Sequence, residues 1–309
     1  MFIKLHSILI FHTFSILFFL NSCQSNNESH VPTKIVRTRN YSVSCPTKIN
    51  FFNQQIDLSD FDLRERLDRE LLVNQYFQSS TCLAIKRSMR YFPEIEQILS
   101  QAGVPSDFKY LCVAESNLAQ VQSSAGASGF WQFMPQTAKE YDLRINDEID
   151  ERMHIEKSTR AACRLIKKNY AVFKDWINAC ASYNRGPGGL QNDLQEQEVE
   201  HFFDAEMNSE TARYVFRIMA IKLILENPKQ YGFDIAPKDC YPTIKTKSLR
   251  ISKPIENLVT WAKNHGSSYK LVKLLNPWIL SKKLSKKSIP CIIKLPVTSN
   301  QLRPIQSKK

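Results

Sequence analysis

The stretch from Asp107 to Pro135 constrains this chain most, because it joins one helix, one acid and a glycine-containing turn rich in aromatic side chains. Phe108, Leu111, Cys112 and Glu115 recur at helical spacing, which predicts a helix with a carboxylic acid on its apolar stripe. Burial there would raise the pKa of the carboxyl toward the range of a general acid at neutral pH. The alternative is a glutamate at the solvent edge of a helix end, and this helix alone does not separate the two.

The chain is strongly basic. Its 309 residues include 42 Lys and Arg against 30 Asp and Glu, a formal net charge of +12. The length allows one large domain or two modest ones, and 43% hydrophobic residues is ordinary for a globular protein. The charge favours an anionic partner, which includes nucleic acid, phospholipid head groups and an anionic cell-wall polymer.

The N-terminus has the pattern of an export signal. Lys4 precedes an apolar run, Leu5 to Leu20, that is short for a membrane span but suits a secretory signal. Leu20, Asn21, Ser22 and Cys23 then resemble a bacterial lipobox, which implies lipidation of Cys23. The alternative is an uncleaved anchor helix.

These features predict where the protein resides. We expect a lipoprotein signal peptide at residues 1–22 and a flexible tether at residues 23–56, a segment rich in Ser, Asn, Thr and Lys. The protein would then lie in the cell envelope, lipid-anchored to a bacterial membrane, with the outer membrane as the expected one, and face the periplasm.

The cysteines and histidines argue against a metal centre. Cys112, Cys163 and Cys180 fall inside predicted helices at small-residue positions, so we expect buried free thiols there. No Cys-x-x-Cys pair occurs, and three of the six histidines lie within the first 30 residues. We expect neither a metal nor another cofactor.

From residue 57 to 232 the hydrophobic pattern is helical, with almost no strand signal. Five of the eight glycines lie between Gly126 and Gly189, where sharp turns or close approach to a ligand need them. Predicted helices include Pro93 to Ala102, 157–173, 175–183 and Ser209 to Glu226, and Ser106 and Asp107 are predicted caps for the helix that carries Glu115. The predicted fold class is mainly α.

Residues 240–298 differ in character from the helical part. Alternating patterns at 241–253 and 288–296 flank a helical pattern at 255–274, which predicts a small α+β module. Its Leu275-Asn276-Pro277 after a helix is similar to a degenerate LysM-type wall-binding module. The alternative is a cap on the helical domain without a binding role.

The polar and aromatic residues of the helical part fall into five motifs. These are Ala114-Glu115-Ser116, Ser124 to Pro135, Asp150-Glu151-Arg152, Ala181-Ser182-Tyr183-Asn184 and Glu210 to Val215. Aromatic planes, amides and one carboxyl are what a sugar groove needs. In this order and spacing the motifs resemble the lytic murein transglycosylase family, which has a goose-lysozyme-like catalytic domain, and most closely its membrane-bound lytic murein transglycosylase D group.

The resemblance implies a lysozyme-like catalytic domain at residues 57–232 that cleaves the β-1,4 bond between N-acetylmuramic acid and N-acetylglucosamine in peptidoglycan. Glu115 would act first as acid and then as base, leaving a 1,6-anhydro end. Substrate-binding roles carry over to the following residues: Ser116, Gln132, Met134, Tyr183, Asn184, Glu210 and Tyr214. Asp150-Glu151-Arg152 is interpreted as a self-paired structural turn and not as the source of a second catalytic carboxylate.

Two alternatives remain open. One is a lysozyme-type hydrolase of the same bond, and the other is a wall-binding lipoprotein without catalysis. The expected partners are peptidoglycan strands and a membrane through the lipid anchor. A nucleic-acid partner is not expected, because the export signal contradicts it. The sequence does not give the oligomeric state.

Overall fold

A computed structural model of the chain describes residues 44–297. In chain order the elements are β1 (Lys48–Phe51), β2 (Gln54–Asp57), α1 (Phe61–Tyr76), α2 (Gln78–Ala102), α3 (Phe108–Ser116), α4 (Pro135–Glu140), α5 (Ile155–Phe173), α6 (Trp176–Arg185), α7 (Pro187–Glu196), α8 (Ser209–Glu226), β3 (Thr246–Ile251), α9 (Leu258–Asn264), α10 (Tyr269–Leu275) and β4 (Cys291–Pro296). The predicted fold class, mainly α with a small α+β module at the C-terminus, is confirmed. Within residues 44–297, none of the helices has the length and apolar character needed to cross a membrane. The predicted signal peptide and Cys23 lie outside the described residues.

Helix α8 is the centre of the helical part. Nearly every apolar side chain along it is buried, as in a helix that other elements surround. α1, α3 and α6 pack against it. Because α3 carries Glu115 and α8 carries Tyr214, this packing brings two of the predicted motifs together.

The predicted tether is too long at its C-terminal end. β1 and β2 form an antiparallel hairpin that pairs Lys48 with Asp57 and Phe51 with Gln54. Phe51 and Phe52 are buried in the main core, and the Phe52 ring stacks on Phe108 with centroids 4.3 Å apart. The hairpin was hard to predict because its strands have four residues each and its turn uses Phe52 and Asn53 at positive φ, without a glycine.

The predicted side-chain cap on α3 is wrong. Asp107 occupies the cap position but makes no capping hydrogen bond. Its carboxylate accepts instead from the Phe52 backbone N–H at 2.7 Å and from Lys222 Nζ at 2.7 Å. Asp107 therefore joins the hairpin to α8, a long-range role that local sequence does not reveal.

Two helix boundaries also differ from the prediction. Pro93 does not begin a helix but lies inside α2, which runs through to Ala102 and ends at Gly103 with left-handed backbone. Pro93 has no N–H to donate to the Met89 carbonyl, and both residues are exposed, so the helix continues through the proline at its solvent side. Pro187 begins a helix, α7, although the glycines and proline at 186–189 are residues that usually end helices. This is possible because proline also suits the first position of a helix.

The C-terminal module is a two-stranded sheet with two short helices. β3 and β4 pair antiparallel, with Thr246 opposite Pro296 and Ile251 opposite Cys291. Its core includes Ile149, which belongs to residues 142–151 of the helical part, called here the acidic segment. The module is therefore packed directly against that segment.

The seven described cysteines are all free. Cys112, Cys163 and Cys180 are buried as predicted, and burial raises the pKa of each thiol. They serve as small apolar residues in the core.

Candidate active site

Glu115 lies in the last turn of α3, where the helix leaves the core. The apolar stripe of Phe108, Leu111 and Cys112 is fully buried. Asn117 then ends the helix with left-handed backbone (φ 52°). The Glu115 side chain is left partly buried, with one side toward the core and the other toward a cleft.

The core side of Glu115 is occupied by Tyr214 of α8. The Tyr214 hydroxyl donates a short hydrogen bond to Glu115 Oε1. Burial raises the pKa of Glu115 to about 7, although the Tyr214 hydrogen bond and the positive charge of Arg217 both lower it. A large part of the population therefore carries a proton on Glu115 at neutral pH.

A pair of charged residues on α8 adjusts this pKa further. Arg217 contacts Glu210, with Nη1 and Oε1 3.2 Å apart, and the negative charge of Glu210 raises the pKa of Glu115. Glu210, Tyr214 and Arg217 follow the spacing i, i+4, i+7, so they share one face of α8. The motif predicted Glu210 and Tyr214 but not Arg217, which the same helical spacing places on their face of α8.

The cleft at Glu115 has a volume of about 300 Å³. Of the predicted site residues, only Glu115 and Ser116 line it, and the Ser116 hydroxyl donates to the Cys112 carbonyl at 3.1 Å. The other polar residues of the lining were not predicted from the sequence and come from α1, α2, the end of α3 and α8: Asn74, Ser80, Thr81, Asn117 and Arg217. The apolar residues of the lining are Ala84, Val113, Ala114, Val121, Ile221, Ile224 and Leu225. Such a mixture suits a ligand with both apolar faces and hydroxyl edges.

Gln132 is held in its own turn and does not line this cleft. Its side-chain Nε2 donates to the carbonyls of Gly129 at 2.7 Å and Val121 at 3.2 Å. Its backbone is left-handed (φ 46°), and Gly129 beside it has φ 78°. Gln132 therefore fixes the shape of the glycine turn, and only its carbonyl oxygen is left without a partner in these bonds.

Tyr183 and Asn184 connect α6 to the site. The Tyr183 hydroxyl donates to the Trp131 carbonyl at 2.8 Å. Burial and then the negative charge of Glu115 raise the pKa of Tyr183. Asn184 is exposed and accepts from Thr211 of α8 at 3.0 Å, while Met134 is exposed at the start of α4 without a contact to Glu115.

The acidic turn is paired, as predicted. Arg152 and Asp150 form a buried ion pair at 2.7 Å, and Glu151 pairs with Arg144 at 2.7 Å and Lys157 at 2.5 Å. Arg152 Nη1 also donates to the carbonyls of Gly126 at 2.6 Å and Phe133 at 3.0 Å, which are the two ends of the glycine turn. The turn therefore supports the loop that carries Gln132.

Within residues 44–297, no three side chains of His, Cys, Asp or Glu come together in a way that could hold a metal ion. No carboxylate other than Glu115 lines the described cleft. The chemistry available at this site is therefore that of one protonated carboxyl, one phenol and one guanidinium.

Two family models match parts of this chain. Residues 94–204 match the family model described as "Transglycosylase SLT domain". This segment, which includes Glu115, is therefore similar to an SLT transglycosylase domain. Residues 247–298 match the model described as "Soluble lytic transglycosylase C-terminal LysM-like domain", at the place of the predicted LysM-like module. Tyr214 and Arg217 lie beyond the matched SLT segment, so their link to Glu115 rests on geometry.

Two curated relatives carry the same name. The chain is 26% identical over 200 residues to "Membrane-bound lytic murein transglycosylase D" of Escherichia coli K12, and equally to that of Escherichia coli O6:H1. These alignments cover 63% of this chain and 43% of each relative, so the chain spans less than half the length of these proteins. Among solved structures, the 70 kDa soluble lytic transglycosylase Slt70 of Escherichia coli aligns over 57% of this chain and 33% of its own, with 17% identity and a TM-score of 0.40.

Proposed function

We propose that this protein is a peptidoglycan lytic transglycosylase that cleaves the β-1,4 bond between N-acetylmuramic acid and N-acetylglucosamine. The observation that carries the proposal is the single carboxyl at the cleft, Glu115, with a pKa raised to about 7 by burial. The SLT domain and the name of the relatives support the same substrate class.

In the proposed reaction Glu115 transfers its proton to the glycosidic oxygen as the bond from that oxygen to C1 of the muramoyl residue breaks. The resulting carboxylate then takes the proton of the muramoyl C6 hydroxyl, whose oxygen closes on C1. The product is a 1,6-anhydro ring, and Glu115 returns to its protonated form. One carboxyl suffices because its pKa lies near the working pH, where it both gives and takes a proton.

A hydrolase of the same bond usually needs a second carboxylate to activate water or to act as nucleophile. Asp150 and Glu151 are buried in ion pairs with arginine and lysine, and Glu210 is paired with Arg217. None of these lines the described cleft. This is the reason to favour ring closure over hydrolysis.

The remaining predicted roles are part of the same proposal. Tyr214 holds Glu115 in place through its hydroxyl, and Glu210 acts on the acid through charge. Ser116 lines the cleft beside the acid. Gln132, Met134, Tyr183 and Asn184 would bind sugar from the loop and helix ends on the other side of Glu115.

The proposed location is the cell envelope, with a lipid at Cys23 anchoring the protein on the periplasmic side of the outer membrane. The relatives are described as membrane-bound, and the net charge of +12 suits a polymer that carries peptide carboxylates. Peptidoglycan strands are the proposed partner of both the SLT domain and the LysM-like module.

The test is the product of sacculus digestion. Purified sacculi treated with the protein should release muropeptides with 1,6-anhydro ends, which are lighter by one water than reducing-end products. Glu115→Gln keeps the shape of the side chain and removes its titration, so release should fall at least about a hundredfold, as expected for loss of general acid catalysis. Reducing ends would establish the hydrolase instead. Unchanged release by Glu115→Gln would exclude Glu115 as the catalytic residue.

A further inference from the structure

Two aromatic side chains at the junction of α1 and α2 are exposed to an unusual degree. Tyr76 is 84% exposed and Phe77 is 58% exposed. Their rings lie edge to face, with centroids 5.6 Å apart and an interplanar angle of 79°. Neither ring belongs to the described core, and the two together form an exposed aromatic pair.

The backbone that carries the two rings is fixed. The Phe77 N–H donates to the Val73 carbonyl at 3.0 Å, and the Thr81 N–H donates to the Phe77 carbonyl at 3.1 Å. The Thr81 hydroxyl donates back to the Asn74 carbonyl at 2.7 Å, across the junction. The rings are therefore presented from a well-bonded corner between two helices.

This corner is bonded to the end of the helix that carries Glu115. Asn117, the residue that ends α3, donates through Nδ2 to both the carbonyl and the hydroxyl of Ser80, each at 3.0 Å. Arg87 of α2 donates to the Asn117 carbonyl at 2.9 Å. The aromatic pair and the acid are thus held in one framework.

The aromatic pair lies in sequence between two residues of the cleft lining. Asn74 and Ser80, on either side of Tyr76 and Phe77, line the cleft together with Glu115. Phe77 follows Asn74 by three residues and precedes Ser80 by three, so a ligand that leaves the cleft between these two side chains would pass close to the aromatic pair. A pyranose matches this surface, since its C–H face packs on a ring while its hydroxyls reach the polar groups.

We propose that Tyr76 and Phe77 form a sugar-binding subsite that stacks on a pyranose of the same glycan strand whose bond lies at Glu115. The proposal rests on the proposed function for the identity of the strand. Its own basis is the continuity of the exposed rings with the cleft. The subsite would bind a sugar beyond the cleaved bond and so would fix the register of the strand.

The test measures binding separately from cleavage. In the Glu115→Gln background, titration calorimetry with a hexamer of β-1,4-linked N-acetylglucosamine as the probe should show that Tyr76→Ala and Phe77→Ala each weaken binding about tenfold, which corresponds to about 1.4 kcal/mol. Tyr76→Phe should bind nearly as the parent does, because stacking needs the ring and not the hydroxyl.

Phe61→Ala is the matched control. Phe61 is 74% exposed, but it begins α1 and so lies roughly 22 Å along the helix from Tyr76. Binding by this variant should equal that of the parent. All variants should keep the parental melting temperature, because the exposed rings contribute little to the core.

Unchanged binding by the Tyr76→Ala, Phe77→Ala double variant overturns the subsite. The subsite is also overturned if this double variant binds the hexamer as the parent does but no longer binds anionic phospholipid vesicles. That result would assign the two rings to a membrane surface. Failure of the wild-type protein to cleave sacculi, with ring-dependent binding of the hexamer intact, would instead overturn the proposed function and leave the subsite standing.

Discussion

At the scale of single residues, the site depends on how one carboxyl keeps its proton. Burial raises the pKa of Glu115, whereas Tyr214 and Arg217 act in the opposite direction and Glu210 adds to the rise. These contributions can be separated by substitution, because Tyr214→Phe and Glu210→Gln each preserve shape. Proton donation by Glu115 requires the protonated form, so kcat/KM should fall as pH rises through about 7.

The two substitutions should shift the pH at which kcat/KM falls in opposite directions. Tyr214→Phe removes a hydrogen bond to the charged form, so the pKa of Glu115 should rise by about one unit and the decline should move to higher pH. Glu210→Gln removes a negative charge and frees Arg217, so the decline should move to lower pH. The measurement is kcat/KM on soluble glycan strands from pH 5 to pH 9. Shifts in the same direction, or none, would contradict the assignment of Glu115 as the titrating acid.

At the scale of elements, the glycine turn between α3 and α4 is the most constrained segment near the site. A Cβ on Gly129 would collide with the Arg152 carbonyl, and the residue has φ 78°. Gly126 has φ 89° in the same loop, but a Cβ there meets nothing within 4 Å. Alanine substitutions at the two glycines therefore distinguish the free-energy cost of backbone strain from that of a steric collision.

Gly129→Ala should therefore cost more than Gly126→Ala. We expect about 1 kcal/mol for Gly126→Ala from its backbone conformation alone, and about 3 kcal/mol or more for Gly129→Ala because the loop must also move off Arg152. Urea unfolding with an unchanged m-value measures both. Sacculus cleavage should fall only for Gly129→Ala, since that variant displaces the turn of Gln132. Equal costs would mean that the turn is not pressed against Arg152.

The same scale shows what the sequence could and could not predict. The helix of Glu115 and the long helix with Tyr214 were predictable, because their apolar residues recur at helical spacing over several turns. The bonds of Asp107 were not, since they join residues more than 50 positions apart. The hairpin was not, because its strands are short and its turn has no glycine. The cleft residues Asn74 and Ser80 were missed for the same reason, as nothing in the local pattern places them beside Glu115.

At the scale of the whole molecule, the C-terminal module and the helical part share a buried polar contact. Glu148 of the acidic segment is 1% exposed and accepts from the Ser285 N–H at 2.8 Å, the Ser288 hydroxyl at 2.7 Å and the Ser285 hydroxyl at 3.1 Å. Next to it, Ile149 is buried in the core of the module. The same segment continues to Arg152, which bonds both ends of the glycine turn. The packing of the module and the shape of the glycine turn are therefore linked through residues 148–152.

This link predicts an effect of Glu148 on stability. Burial raises the pKa of Glu148, but the hydrogen bonds from Ser285 and Ser288 outweigh it and hold the pKa below its ordinary value. A carboxyl whose folded pKa is lowered stabilises the fold above its unfolded pKa, and this contribution is lost as pH falls through the folded pKa. Glu148→Gln should thus destabilise the protein at pH 7 by about 2 kcal/mol, because it removes the charge that three donors surround.

The matched control is Asp147→Asn, at the adjacent exposed carboxylate that pairs with Lys287 on the surface. Its stability should stay close to that of the wild type, since exposed ion pairs contribute little. The destabilisation by Glu148→Gln should shrink as the pH is lowered below 4, where the wild-type carboxylate also takes up a proton. Hydrogen exchange should locate the loss of protection at residues 148–152 and 276–296 together. Loss of protection confined to residues 276–296 would show that the module packs on the helical part without supporting the glycine turn.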